Sequence, residues 1–242
     1  MMNLENKVVL ITGANRGIGQ AIVAQLLQRG VKKIYAAARD VSTLPDFNDQ
    51  RIENMTLDIT RPEQVAQAAQ HARDIDILIN NAGVAAFTSL LDGPNDLLKR
   101  DMDTNYYGTL AMVREFVPVL ETKKGSAIVN VVTIGAFVNF PSLGGYCASK
   151  AALFSLSQGI RIELAPKGIH VHTVNPGPID TDMAKDFPGD KPSAASTAEN
   201  ILLALEKGEA DIFPDETGQQ MIGAWKNDYR DLEKMVADMH HG

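Results

Sequence analysis

The sequence has a single cysteine, no long apolar run and no excess of basic residues, and each absence excludes a class of protein. Cys147 has no partner for an internal disulfide, which fits a reducing compartment and predicts a cytoplasmic location. No apolar run approaches the roughly 20 residues that span a bilayer, and the N-terminus lacks the charged-then-apolar order of a signal peptide. A net charge of −7 argues against a nucleic-acid partner. No His, Cys or acidic cluster has metal-ligand spacing, so we expect no metal.

The apolar residues form short runs that alternate with segments of helical periodicity. Strands are predicted near 7–11, 33–38, 53–57, 76–80, 127–132 and 169–174, and helices near 17–29, 62–72, 96–120, 146–165 and 196–207. This alternation predicts a doubly wound α/β fold, with a parallel sheet flanked by helices on both faces. Ligands of such sheets bind beyond the carboxyl ends of the strands. At 242 residues the chain fits one domain, 1–242.

A glycine-rich turn follows the first predicted strand. Gly13, Gly17 and Gly19 have the pattern G-x-x-x-G-x-G and lead into a segment of helical periodicity. Backbone N–H groups at such a helix N-terminus, aided by the helix dipole, form a cradle for phosphate. Glycine turns also occur for structural reasons alone, and the position after the first strand favours the phosphate site.

Tyr146 and Lys150 lie four residues apart in a predicted helix, so their side chains share one face. A phenol with a pKa near ~10 is a poor acid or base at neutral pH, and a nearby cation lowers that pKa. The pair is therefore a candidate acid/base couple. Any helix can carry Tyr and Lys at this spacing, and the spacing alone does not separate the two interpretations.

In order and separation, five motifs resemble those of the short-chain dehydrogenase/reductase family over nearly the whole chain. They are the segments 12–19, 80–83 and 105–108, the pair in 146–150, and the loop 176–181. The resemblance implies a Rossmann domain that transfers a hydride between a nicotinamide and a carbonyl or alcohol carbon.

The resemblance also implies which residues bind the cofactor. Asp58 and Ile59 would flank the adenine, and 81–83 the adenosine ribose, although a turn-capping role for Asp58 is equally consistent with its chemistry. The expected cofactor-binding residues are Gly13, Asn15, Arg16, Gly17, Ile18, Gly19, Arg39, Asp58, Ile59, Asn81, Ala82, Gly83, Tyr146, Lys150, Pro176, Gly177, Ile179 and Thr181.

The end of the second predicted strand indicates which nicotinamide cofactor binds. An acidic residue about 20 positions beyond the glycines would hold the ribose of NAD, and alanine stands there. Arg39 follows at once and Arg16 lies inside the glycine turn, so two guanidinium groups are available for a 2′-phosphate. These residues favour NADP(H). Asp40 could turn toward the ribose if the strand ended one residue later, and both arginines could be plain surface residues.

By the same resemblance, Tyr146 would exchange a proton with the substrate oxygen, while Lys150 would lower the tyrosine pKa and hold the nicotinamide ribose. Asn105 would anchor a water in a proton relay, or it could be a helix-interior residue bonded to a backbone carbonyl. One position departs from the family, because Thr133 stands where a serine is usual. Its hydroxyl is retained, but the β-branch restricts χ1, so a slower reaction is expected.

The substrate side is less specified. An apolar wall is expected from Val84, Phe87, Phe137, Val138, Phe140, Pro178, Met183 and Phe187, although each alone is typical of core or lid. The Pro-, Gly- and Ser-rich stretch 187–196 predicts a mobile lid near 182–200. A polar helical extension near 216–239 carries Met221, Trp225, Leu232 and Met235 at roughly helical intervals, a stripe that could cover the pocket or the sheet edge, or pack ordinarily.

The sequence therefore predicts an NADPH-dependent carbonyl reductase or alcohol dehydrogenase for a small hydrophobic ketone, aldehyde or secondary alcohol. Because the C-terminus lacks the family's tetramer-forming ending, a homodimer through 96–120 and 146–165 is favoured over a tetramer. An NAD-linked alcohol dehydrogenase rests on Asp40. A catalytically weakened NADP-binding sensor or scaffold rests on Thr133, and the presence of Asn105, Tyr146 and Lys150 argues against it.

Overall fold

The computed structural model describes residues 2–187 and 189–241 and centres on one sheet of parallel strands. The strands are β1 (Val8–Thr12), β2 (Lys33–Ala38), β3 (Ile52–Thr56), β4 (Ile77–Asn80), β5 (Ala127–Val131), β6 (His170–Val174) and β7 (Asp211–Ile212). Their order is β3-β2-β1-β4-β5-β6-β7, and every neighbouring pair is parallel. The predicted doubly wound α/β fold is confirmed.

Helices cover both faces of this sheet. They are α1 (Gly17–Gln28), α2 (Pro62–His71), α3 (Asn95–Met102), α4 (Thr109–Leu120), α5 (Gly144–Leu164), α6 (Ala194–Lys207), α7 (Glu216–Asn227) and α8 (Tyr229–His241). Successive residues of a strand point to opposite faces, so Leu10 of β1 packs with α2, α4 and α5 while Val9 and Ile11 pack with α1 and α6. Because both faces of the central strands are buried, β1, β2 and β4 consist largely of apolar residues, whereas β3 at the sheet edge is polar and mostly exposed or half-buried. No helix in the described part of the chain is both long and apolar enough to cross a bilayer.

The helix predicted over 96–120 contains a widened turn. A π-helical segment, Asp103–Gly108, joins α3 to α4 without a break. Gly108 lies against Ile59, and a Cβ on Gly108 would come within 2.8 Å of the Ile59 Cγ1 atom, so the helix approaches as closely as glycine allows. The same segment holds Asn105 fully buried. Such wide turns often occur at functional sites, and this one carries a predicted catalytic residue.

The region of the predicted lid, 182–200, divides into two parts. Residues 181–187, with a 3₁₀ turn at Asp182–Ala184, and 189–192 lie in a loop that is closed where the Asp180 N–H donates to the Pro192 carbonyl at 3.0 Å. Beyond it α6 begins at Ala194, and its Thr197 and Ala198 are buried in the core. Only the loop is placed to act as a lid, and its mobility stays a prediction. Pro188 falls within the predicted lid and lies outside the described residues.

The C-terminal helices α7 and α8 pack beside the carboxyl end of β5. Met221 and Leu232 are buried there in a cluster with Ile134, and Met235 packs against it. The Trp225 ring meets the Phe137 ring edge-on, with centroids 5.5 Å apart. The C-terminal stripe therefore supports the segment after β5, which leads to the candidate site.

Candidate active site

Glycines shape the turn between β1 and α1. Gly13 and Gly17 have φ values of +67° and +56°, which L side chains rarely adopt. At Gly19 the constraint is space, because a Cβ would lie 2.2 Å from the Gly13 carbonyl oxygen. Helix α1 starts at Gly17 with no acidic residue in its first turn, so its free N–H groups and dipole present positive potential. This turn fits a phosphate group.

The neighbouring strand β4 holds this turn in place. The Thr12 hydroxyl oxygen accepts hydrogen bonds from the N–H groups of Asn81 at 3.1 Å and Ala82 at 3.0 Å. In return, the Asn81 side-chain amide donates to the carbonyls of Thr12 at 3.0 Å and Gly13 at 2.9 Å. The Asn81 side chain thus fixes the turn, and Thr12 has a positioning role that the sequence analysis did not assign. The order of strands reverses between β1 and β4, which is where such sheets bind ligands.

The charged residues near the end of β2 differ in whether their side chains already have partners within the protein. The Asp40 carboxylate accepts the N–H and hydroxyl of Ser42 at 2.9 and 2.7 Å, and these bonds hold the pKa of Asp40 below its usual value. Arg39 is exposed and lines the cleft. Arg16 is also exposed, and its guanidinium lies 3.3 Å from the Asp182 carboxylate in the lid loop. The competing role of Asp40 as a ribose ligand is weakened by its capping bonds.

Asp58 and Ile59 follow β3 and line the same cleft. The Asp58 carboxylate accepts the N–H of Thr60 at 2.9 Å and its hydroxyl at 2.7 Å, and the Asp58 N–H donates to Gln64 at 2.7 Å. Of the two roles open to Asp58, these bonds form the turn cap, and they leave room for a second contact from the cleft. Ile59 packs under Gly108.

Tyr146 and Lys150 occupy successive turns at the start of α5. The Lys150 ammonium lies 5.8 Å from the Tyr146 ring centroid and donates to the Val131 carbonyl at 2.7 Å. Burial lowers the Lys150 pKa to about 8, and Asp101 opposes this shift. Burial raises the Tyr146 pKa, Cys147 and Asp101 raise it further, and the Thr133 hydroxyl opposes the rise. In this structure desolvation sets the direction of the Tyr146 pKa, and the expected lowering of that pKa by Lys150 stays a prediction.

The Thr133 hydroxyl already has partners. It donates to the Pro176 carbonyl at 3.1 Å and accepts the N–H of Gly135 at 3.3 Å. It therefore joins the end of β5 to the loop after β6. To donate to a substrate oxygen, this hydroxyl must give up its bond to Pro176.

Asn105 is the one predicted site residue that does not line the cleft. Its side-chain oxygen accepts the Val84 N–H at 2.9 Å, and its amide donates to the Val84 carbonyl at 2.9 Å and to the Ser149 hydroxyl at 2.8 Å. Asn105 thus ties the segment after β4 to α5. Its role in a proton relay stays a prediction.

All other predicted catalytic and cofactor-binding residues line a single cleft of about 990 Å³ along the carboxyl edge of the sheet. Of the expected apolar wall, Phe137 and Val138 do not line the cleft, because they pack toward α7 and α8. The other residues of the expected wall line the cleft, and the ring centroids of Phe87 and Phe187 are 6.3 Å apart.

The structure adds residues that sequence reasoning missed. One face of α3 and the following π-helical segment reaches the cleft at Asp96, Lys99, Arg100, Asp103 and Tyr107, and only their helical spacing could have indicated this. Asp215 is buried, and its carboxylate accepts the N–H groups of Gly177 at 2.9 Å and Gly218 at 2.8 Å. This carboxylate fixes the 176–181 loop to the start of α7, and no local pattern signals it.

Comparison with known proteins gives consistent matches. The family model described as short chain dehydrogenase matches residues 7–192. A 3-oxoacyl-(acyl-carrier-protein) reductase from Vibrio cholerae is 32% identical over 190 residues, which cover 76% of this chain and 78% of that protein. An NADPH-dependent 1-acyldihydroxyacetone phosphate reductase from Schizosaccharomyces pombe is 33% identical over 207 residues, 83% of this chain and 69% of that protein.

A similar solved structure covers almost the whole chain. It is a short-chain dehydrogenase from Burkholderia cenocepacia in complex with NADP, with 38% sequence identity and a TM-score of 0.93. The match covers 97% of this chain and 99% of that one, including the C-terminal region that the family model does not reach.

Proposed function

Because the chain belongs to the short-chain dehydrogenase/reductase family of oxidoreductases, we propose that it reduces hydrophobic ketones or aldehydes with NADPH and oxidises the corresponding secondary alcohols with NADP. One observation carries this function. Tyr146, Lys150 and Thr133 line the same cleft as the glycine turn at the N-terminus of α1, so an acid/base pair and a phosphate cradle share one ligand site.

The residues around the turn fit a bound dinucleotide. The N–H groups at the start of α1 would hold its pyrophosphate, and Lys150 would hold the nicotinamide ribose. Arg39 and Arg16 would pair with a 2′-phosphate, for which Arg16 would exchange its exposed partner Asp182. The relative from B. cenocepacia, which is in complex with NADP, supports the same choice of cofactor.

Tyr146 supplies the proton in the reductive direction. NADPH held in the cleft would supply a hydride for the carbonyl carbon, which would leave negative charge on the carbonyl oxygen. Because burial raises the Tyr146 pKa, the phenol is protonated at neutral pH and can donate to that oxygen. Alcohol oxidation needs the phenolate, so it is favoured by higher pH. The Lys150 ammonium stabilises the phenolate that remains after proton transfer.

The lining of the cleft supports a substrate with an apolar body. Phe87, Phe140, Pro178, Met183 and Phe187 face the opening. The V. cholerae and S. pombe relatives are named for reductions of acyl-bearing substrates, which supports a ketone that carries an acyl chain.

A homodimer through α4 and α5 is part of the same proposal. Ile162 on α5 is 77% exposed, and its neighbours on the exposed face include the small residues Ala148, Ala151 and Gly159. Such a face is suited to close packing against a second copy of the helix.

The cofactor assignment predicts that NADPH is oxidised at least about tenfold more efficiently than NADH with hydrophobic ketones, aldehydes and 3-oxoacyl esters. Replacing Arg39 with serine should remove most of this preference by weakening NADPH, because a charge-assisted bond to the 2′-phosphate is lost. Steady-state kcat/KM for both cofactors measures it, and the exposed Arg73→Ser is the control. A preference for NADH in the wild type would show that the assignment of Arg39 and Arg16 is wrong.

The Thr133 hydroxyl is predicted to be needed for turnover. Thr133→Val keeps the shape of the side chain but removes the donor, and kcat should fall by about 10²-fold. Thr133→Ser keeps the hydroxyl, frees χ1 and should match or exceed the wild type. Single-turnover rates with saturating NADPH measure both variants. Equal rates for the valine and wild-type proteins would show that Thr133 only links β5 to Pro176.

A further inference from the structure

Asp101 is a fully buried carboxylate for which neither the fold nor the proposed chemistry accounts. It lies in the last turn of α3, directly before the π-helical segment. Its two oxygens accept the N–H of Ala86 at 3.1 and 2.9 Å, and the Arg100 guanidinium approaches one of them at 3.4 Å. The Asp101 carboxylate has no other hydrogen bond to the residues that the structure describes, 2–187 and 189–241. Burying a carboxylate with so few hydrogen-bond donors costs stability. We therefore looked for what Asp101 contributes to the residues around it.

The first contribution of Asp101 is to hold the segment that follows β4 in position. Asp101 and Asn105 lie four residues apart on the helix, and they hold the backbones of Ala86 and Val84, two residues apart. The helical and extended periods match over this distance, so the two side chains clamp the segment at alternate residues. Val84 and Ala85 line the cleft and Phe87 follows them, so the clamp determines the position of one wall.

The second contribution of Asp101 is a negative charge beside the Tyr146–Lys150 pair. Gly145 lets α3 approach the first turn of α5, since a Cβ there would lie 2.6 Å from the Leu98 Cδ2 atom and 3.5 Å from the Asp101 Oδ2 atom. The carboxylate thus lies against the N-terminal end of α5, which favours an anion. It raises the pKa values of both Lys150 and Tyr146.

The charged and titratable groups around the Lys150 ammonium are few. Tyr146 lies on its own helix. The Lys150 Nζ and the Asn105 Oδ1 atoms both lie around Gly83, where an added Cβ would be 3.4 and 3.1 Å from them, and Asp101 stands one helical turn before Asn105. The Cys147 thiol raises the pKa of Tyr146. The Arg100 guanidinium, whose side chain is 47% exposed, lies 3.4 Å from the Asp101 carboxylate. Asp101 is therefore the one buried carboxylate among the described residues that acts on this pair.

We propose that Asp101 is a positioning residue of the active site: its carboxylate fixes the 84–86 segment and places a negative charge beside the Tyr146–Lys150 pair. The part played by Lys150 in holding the cofactor rests on the proposed function, whereas the position of the Asp101 carboxylate is independent of that function.

The test replaces Asp101 with asparagine, which keeps the shape and one acceptor for the Ala86 N–H but removes the charge. NADPH affinity, followed by nicotinamide fluorescence, should fall by about tenfold in the wild type as pH rises through about 8 and Lys150 loses its proton. In Asp101→Asn this fall should move down by about one pH unit. Asp92→Asn, exposed in the loop before α3, should leave it in place. Coincident curves for the asparagine and wild-type proteins would overturn the proposal.

A second readout needs neither cofactor nor substrate. The Lys150 pKa is about 8 in the fold and near 10.5 when unfolded, so its contribution makes the unfolding free energy rise with pH between these values. In Asp101→Asn the rise should begin about one pH unit lower, which urea titrations detect. A protein without carbonyl turnover or NADPH binding would refute the proposed function and leave this comparison intact.

If the asparagine variant does not fold, Asp101→Glu serves instead, since it keeps the charge on a longer side chain. We expect its pH dependence to stay at the wild-type position while kcat falls because the wall is displaced. A downward shift with the charge retained would contradict the role of Asp101.

Discussion

Replacing Tyr146 with phenylalanine is expected to lower kcat for carbonyl reduction by about 10³-fold while NADPH affinity stays within about twofold of the wild type. The phenol is the group placed to protonate the substrate oxygen, and phenylalanine keeps the ring beside Lys150 but has no proton to give. Lys150 retains its bond to the Val131 carbonyl, so the cofactor side of the site should survive.

The experiment compares single-turnover rates with NADPH titrations for the wild type, Tyr146→Phe and Tyr229→Phe. Tyr229 is half exposed on α8, so its variant controls for the loss of a phenol elsewhere. Unchanged turnover in Tyr146→Phe would remove the reductase mechanism. A protein that binds NADPH tightly but reduces no carbonyl, with or without Tyr146, would instead be the sensor or scaffold for which Thr133 gives the motivation.

Replacing Gly19 with alanine is expected to weaken NADPH binding by about 10²-fold or more. The new Cβ would lie 2.2 Å from the Gly13 carbonyl oxygen and 2.4 Å from the Asn81 amide nitrogen. A side-chain rotation cannot relieve the first contact, because both atoms belong to the backbone or are fixed to it. The turn must open, and the N–H groups at the start of α1 lose their common direction.

Gly223→Ala is the matched control for this substitution. Gly223 lies within α7, away from the proposed dimer face, and a Cβ there meets nothing within 4 Å, so alanine should stabilise the helix by roughly 0.5–1 kcal/mol and leave the cofactor unaffected. Circular dichroism and NADPH titration report folding and binding separately. Normal NADPH affinity in a folded Gly19→Ala protein would mean that the β1–α1 turn is not the phosphate site.

The sequence was a good guide to the fold because its central strands are buried on both faces. Such strands are largely apolar runs, and the helices between them have their own period, so these elements are recognised locally. The π-helical segment is different. Its last residue, Gly108, contacts Ile59, which is far away in sequence, and the local residues fit an ordinary helix equally well.

The candidate site divides in the same way. Its glycine turn and the Tyr146–Lys150 pair have fixed spacings, so their meeting in one cleft could be expected. Asp101 and Asp215 could not be found, because a charged residue in a polar stretch is normally exposed and only the tertiary structure buries these two. The effect of burial on the Tyr146 pKa could not be predicted for a related reason: the sequence shows the neighbouring cation but not the desolvation of the phenol.

The position of Trp225 gives the protein a local optical reporter. It is the only tryptophan in the sequence, and its indole is 39% exposed with one edge against Phe137. Phe137 belongs to the segment after β5, which begins beside Thr133 and leads to α5. Tryptophan emission therefore originates from one place, where the C-terminal helices meet the segment after β5. A shift in that emission reports rearrangement of this segment, free of contributions from any second indole.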